Sequence, residues 1–178
     1  MFVGLLSLNS RRSAQLHLQR IRFILTKTTD SQATLRPYIT ADEDAAIALW
    51  LRTWQQTYPD IDFVARLGWW RERWRSELVA QTRITVAESD GVLTGFVTVD
   101  PKTLYLDQIV VAPEAWGSGM AEALIAAARR LSPSGLDLQV NQDNARAIRF
   151  YEKQGFIITG EDRNASQRLT YWMKWRPA

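Results

Sequence analysis

A β-branched run, a two-glycine turn and an alanine-leucine stretch follow one another in Ile109-Val110-Val111-Ala112-Pro113-Glu114-Ala115-Trp116-Gly117-Ser118-Gly119-Met120-Ala121 and in residues 122–128. A strand that stops at proline and re-enters a helix through glycines presents free backbone N–H groups at the helix start. The helix macrodipole places roughly half a positive charge there. Gly117 and Gly119 add no side chain to obstruct an approaching group. The chemistry suited to such a turn is the holding of a phosphate or diphosphate.

Other chemistries are closed off by composition. The chain has 178 residues and no cysteine, which removes disulfides, thiol nucleophiles and thiolate metal sites. Its one histidine, His17, lies near the N-terminus, so neither a histidine triad nor a multi-histidine metal centre is available. The net charge of +3 is unevenly spread. Residues 1–32 carry five basic groups and one acidic group, whereas the remaining 146 residues carry 17 basic and 18 acidic. The positive charge therefore belongs to the tail, and a nucleic-acid role for the rest loses its electrostatic support. Such a role would rest on the tail alone and predicts salt-sensitive binding that disappears when residues 1–32 are deleted. No apolar run approaches the length of a membrane span.

The elements that must position the turn can be read from pattern. Residues 1–32, rich in Arg and Ser, form a basic N-terminal extension whose composition suits a targeting or peripheral segment. The only expected boundary falls near residue 33. Residues 34–38 read as a short strand, and Thr40-Ala41-Asp42-Glu43 as a capping box in which Thr40 and Glu43 bond reciprocally. A helix follows, with Ala46, Leu49, Trp50 and Thr53 on one stripe, and ends at Tyr58-Pro59-Asp60. A second helix is expected over residues 63–80. Five of the eight tryptophans lie between residues 50 and 74, most of them as packing residues, with at least one expected at a substrate pocket. Residues 83–88 and 92–99 read as a hairpin around Ser89-Asp90-Gly91, with Gly95 a bulge or close-approach point. Residues 105–111, 136–140, 156–159 and 169–175 are further strands. Residues 145–154 form a helix closed by Gly155.

Two stretches together resemble the GNAT superfamily of acyl-CoA-dependent N-acyltransferases. The first is the opening turn, similar to that family's Arg/Gln-x-x-Gly-x-Gly/Ala motif, with Gly119 and Ala121 in place and Trp116 standing where Arg or Gln is usual. The second runs from Val140 to Phe156 and is similar to the family's Asn-x-x-Ala-x-x-x-Tyr-x-x-x-Gly-Phe segment, through Asn144, Ala147, Tyr151, Gly155 and Phe156. The resemblance covers roughly residues 33–176. It implies an α/β GNAT fold: a mixed, mostly antiparallel sheet of about six to seven strands, splayed around its central strands and flanked by about four helices.

The same resemblance implies acetyl-CoA as donor, with no metal, and a primary amine that attacks the thioester directly. The amides of Gly117, Ser118, Gly119, Met120 and Ala121 would surround the diphosphate, with Trp116 beside them. Ile109, Val110 and Val111 would pair with the pantetheine arm, and the amide of Val110 or a neighbour would polarise the thioester carbonyl. Tyr151 falls where the family has the tyrosine beside the sulfur, a general acid for the departing thiolate. Asn144 is either a helix cap or a cofactor contact. The base is open between Asp107, Glu88 and a water chain. The implied partners are a small-molecule or protein amine, without nucleic acid or membrane, in a cytoplasmic protein for which a homodimer is one possible state. The acceptor pocket is expected between the tryptophan-rich helices and the far end of the splayed sheet. The rival reading is a catalytically weak acyl-CoA-binding regulatory or sensor module of the same fold.

Overall fold

The computed structural model describes residues 33–178; the basic extension and His17 lie outside the described residues. Seven strands form one sheet in the order β1-β2-β3-β4-β5-β7-β6. They are β1 (Thr34–Pro37), β2 (Arg83–Ser89), β3 (Val92–Asp100), β4 (Tyr105–Val111), β5 (Leu136–Asn141), β6 (Ile157–Arg163) and β7 (Leu169–Trp175). All neighbouring pairs are antiparallel except β4 and β5, which run parallel and meet only at Tyr105 and Asp137. Beyond that single pair the two central strands diverge. The sheet is therefore held together at one end of its middle and open at the other.

Among the described residues, four main helical segments cover the two faces. α1 (Glu43–Thr57) and α2 (Leu67–Arg73), the latter extended by a π-turn at Trp74–Leu78, pack on one face. Their core contains Ala46, Leu49, Trp50, Trp70, Trp74 and Leu78 against Val86, Phe96 and Val110. Trp50 and Trp70 stack with ring centroids 4.4 Å apart. α3 (Met120–Leu131) lies on the other face, where Leu124, Ile125 and Ala128 join Val97, Val99, Val111 and Leu138. α4 (Ala145–Lys153) adds Tyr151 to the same core. Each fully buried leucine or isoleucine there stabilises the face by about 1.5–3 kcal/mol.

The expected capping box is replaced by a different one. The carboxylate of Asp42 accepts the Ile39 N–H at 2.9 Å and is clamped by Arg36 at 2.7 and 2.8 Å, so the helix opens with a tight turn at Thr40–Asp42. Glu43 is drawn away from Thr40 by Arg71 at 2.9 Å and Arg75 at 2.6 Å. Two ion pairs to another element outcompete one local bond. The bulge near Gly95 is present: Thr94 is the extra residue of β3 opposite Ala87 and Glu88. A Cβ at Gly95 would lie 3.0 Å from a methyl of Leu124 and 3.1 Å from the Val110 carbonyl, so this is also a close approach.

Candidate active site

The divergence of β4 and β5 opens a cavity of about 580 Å³ through the sheet. β4 supplies Asp107, Gln108, Ile109, Val110 and Val111; the following turn supplies Trp116 and Gly117, and the start of α3 supplies Ala121. α4 contributes Asn144, Arg146 and Tyr151, and the opposite face adds Thr53, Trp54 and Arg73. Nine of the twelve expected site residues thus line one space. Ser118 and Gly119 lie exposed at its mouth, and Met120 is buried beneath it, all three outside the cavity wall. Trp54 and Trp116 are the tryptophans at the pocket.

The turn has the features of an anion cradle. Gly117 and Gly119 sit at φ 78° and 88°, a left-handed conformation that glycine adopts without strain. Gly119 occupies the N-cap of α3 and gives its first turn no side-chain partner. The amides of Gly117, Gly119 and Ala121 find no acceptor among the described residues. Ser118, by contrast, donates its amide to the Ala115 carbonyl at 3.2 Å, and the Met120 amide points at the Ser118 hydroxyl at 3.4 Å. Three of the five expected amides are therefore available. Trp116 fixes the turn to the end of β4, its indole N–H donating to the Val111 carbonyl at 2.9 Å.

Strand parity decides which β4 amides can reach the gap. Gln108 N–H points towards β3, to the Thr98 hydroxyl at 3.0 Å, and Ala112 N–H does likewise, to the Thr94 carbonyl at 2.8 Å. Alternation puts Val110 on that same side and turns Ile109 and Val111 towards β5. The amide of Val110 is consequently spent on the sheet, which corrects its expected role towards a thioester. Its neighbours face the opening.

Asp107 is the extra residue of a second bulge, inserted opposite Thr98 and Val99, and a bulge re-aims its side chain. Its two carboxylate oxygens receive the Arg73 guanidinium at 3.0 and 2.5 Å, and Gln108 donates to it at 2.9 Å. Burial works against the Arg73 cation, but Asp107 and Glu77 outweigh it and hold that guanidinium more firmly protonated than usual. Glu88 is elsewhere. It pairs with Arg36 at 2.8 Å on the far side of β2 and lies outside the cavity wall, so its expected place as a base is corrected.

Tyr151 is 7% exposed, with its ring against Phe150 and Phe156. Burial pushes its phenol well above the ordinary tyrosine range, and the hydroxyl has no hydrogen-bond partner among the described residues. Tyr105, also in the wall, is pushed up to about 12 by burial and by the Asp107 charge. Asn144 acts as the cap of α4, accepting the Ala147 N–H at 3.1 Å, while also facing the cavity. At the cavity's outer edge Tyr58, at the end of α1, donates to Asp143 at 3.0 Å and accepts from Asn141 at 2.9 Å.

A second cavity of about 480 Å³ shares Arg73, Tyr105 and Asp107 with the first. Its wall carries four carboxylates among the described residues, Glu77, Asp100, Asp107 and Asp137, with Trp172 beside them; Arg73 pairs with Glu77 and Asp107, and Lys174 and Arg176 pair with Asp137. Neither Arg73 nor this second space was visible in the sequence. Both depend on contacts across 34 residues or more, for which no local spacing exists.

Residues 43–156 match the acetyltransferase (GNAT) family. The chain is 33% identical over 135 residues to the peptidyl-lysine N-acetyltransferase YiaC of Escherichia coli (strain K12), covering 74% of this chain and 88% of that one. It is 30% identical over 115 residues to the peptidyl-lysine N-acetyltransferase YjaB of Salmonella typhimurium, covering 64% and 76%. Among solved structures, the PaiA N-acetyltransferase of Thermoplasma acidophilum in complex with coenzyme A superposes with a TM-score of 0.67 at 18% identity over 82% of this chain and 99% of that one. The solution structure of apo YjaB from Escherichia coli gives 0.66 at 21% identity, covering 82% and 99%. No group of residues suited to a metal ion occurs among the described residues, and none of their helices is long and apolar enough to cross a membrane. The chain belongs to the GNAT family of acetyltransferases.

Proposed function

We propose that this enzyme transfers the acetyl group of acetyl-CoA to the side-chain amine of lysine in a peptide or protein. The observation that carries the reading is the form of the first cavity: free turn amides at one end, an ion-paired carboxylate at the other, and an unpaired strand edge between them. The residues fit the donor. Gly117, Gly119 and Ala121 offer amides for its diphosphate, with Ser118 and Met120 shaping the turn and Asn144 alongside. The edge of β4 at Ile109 and Val111 suits an extended pantetheine arm, while Val110 secures the strand from behind. An amide from that edge on the thioester oxygen is a preorganised donor of the kind typically worth about 3 kcal/mol.

The amine nitrogen attacks the thioester carbonyl, the carbon–sulfur bond breaks, and the departing thiolate takes the Tyr151 proton. The acceptor ammonium first gives one proton to solvent, which frees its lone pair for the attack, and the proton then lost from the acylated nitrogen restores Tyr151 through solvent. The phenol carries its proton across the physiological range, as an ordinary tyrosine does, and burial shifts it further in that direction. Asp107, with both oxygens on Arg73, suits holding the incoming ammonium beside the thioester better than abstracting its proton. The second cavity meets the first at that pair and gives a lysine chain a second route to the thioester, past carboxylates paired with Arg73, Lys174 and Arg176. The named activity of YiaC and YjaB supports this acceptor class.

The test is an N-terminally blocked lysine peptide incubated with acetyl-CoA and read by mass spectrometry. Acetyl on the lysine Nζ is expected. Acetylation confined to free α-amines or to small amines would overturn the acceptor class. Acetyl-CoA binding with no transfer to any amine would favour the sensor module.

A further inference from the structure

The departure at Trp116 has a counterpart on another element. Trp116 is tied down by its indole N–H, and over its ring lies the Arg146 guanidinium, 3.6 Å from the ring centroid. Arg146 comes from the first turn of α4, two residues after the cap Asn144. No carboxylate or carbonyl among the described residues pairs with this side chain; the indole is its partner. Stacking grips a guanidinium by its face and leaves the N–H edge free to bond. The first turn of a helix is the wrong end of the macrodipole for a cation; the side chain stays exposed, and only its partial desolvation lowers its pKa. Both residues line the donor cavity beside Gly117.

We propose that Arg146, held on the face of Trp116, supplies to the donor's diphosphate the side-chain contact for which the related motif has Arg or Gln at position 116. The inference rests on the donor seat described above. It makes Trp116 a platform rather than a gap in the motif: the contact comes from α4, and the indole fixes its direction.

Isothermal titration of coenzyme A and dephospho-coenzyme A into the full chain tests this. Arg146→Gln is expected to weaken both ligands roughly ten- to a hundred-fold, the loss of one or more charge-assisted bonds. The salt dependence of binding should become shallower as well. Trp116→Arg combined with Arg146→Gln is expected to recover most of that loss. Arg146 is exposed and makes no ion pair among the described residues, and its charge sits at the unfavourable end of the helix dipole, so Arg146→Gln should not lower the melting temperature and weakened binding is not unfolding. Unchanged affinity for both ligands would overturn the proposal. A loss for coenzyme A alone would place the guanidinium on the 3′-phosphate and overturn it too. A double variant no tighter than Arg146→Gln would refute the exchange of roles. Failure of the unaltered chain to bind coenzyme A would instead refute the donor seat itself.

Discussion

Replacing Tyr151 with phenylalanine separates chemistry from packing with little ambiguity. The ring is buried between Phe150 and Phe156, at centroid distances of 5.4 and 5.5 Å, and phenylalanine keeps all of that contact. The hydroxyl has no partner among the described residues, so its removal strands no donor or acceptor. The stability change should stay under about 1 kcal/mol, compared with several for loss of a buried ring. Catalysis should respond differently. A positioned acid contributes typically 10²–10⁴ in rate. A thiol is a fair leaving group, with a reference pKa near 8.5, so the loss should lie near the lower figure. About 10² in kcat corresponds to roughly 2.7 kcal/mol. Stopped-flow thiol release at saturating acetyl-CoA, with the dissociation constant measured separately, is the assay. The expected result is lower kcat, unchanged donor affinity and an unchanged melting temperature. An acetyl thioester of a more acidic thiol should be far less sensitive to the substitution, since its thiolate needs no proton to depart. Wild-type turnover with acetyl-CoA, or equal losses with both donors, would refute the acid role.

Asp107→Asn should raise KM for the amine while leaving the acid limb of the pH–rate profile in place; disappearance of that limb would make Asp107 the base after all. Gly95→Ala should cost about 1–3 kcal/mol in chemical denaturation, because its Cβ would press on Leu124 and on a backbone carbonyl that cannot yield. The Arg36 clamp, helped by the Ile39 amide, holds the Asp42 carboxyl below the usual carboxylate range. Its stabilisation is therefore complete above the unfolded value near 3.9 and is lost as pH falls through the lower folded value. Urea midpoints should drop below about pH 4, and Asp42→Asn should flatten that drop while costing about 1–3 kcal/mol at neutral pH.

Where local pattern controls structure, the sequence was a reliable guide. The strands Tyr105–Val111 and Leu169–Trp175 run between the expected residues, and the Asn144 cap and Gly155 stop bracket α4 as their chemistry requires. The gathering of Asp107, Trp116, Asn144 and Tyr151 about one cavity followed from the family resemblance together with that strand-helix order. What stayed hidden was long-range. Thr40 lost its partner because Glu43 had arginines 28 and 32 residues away. Glu88 left the site because the partner strand β1 brings Arg36 to it. The unsuitability of the Val110 amide depends on which side of β4 faces β3, a parity that a β-branched run does not disclose.

The gap between β4 and β5 is the proposed seat of the thioester arm. Amide hydrogen exchange resolved by residue, with and without acetyl-CoA, tests that seat directly. The amides of Ile109 and Val111 should slow strongly when acetyl-CoA binds, while Val110, already committed to β3, should change little. Unaltered exchange at Ile109 and Val111 under saturating acetyl-CoA would contradict a thioester arm seated in that gap.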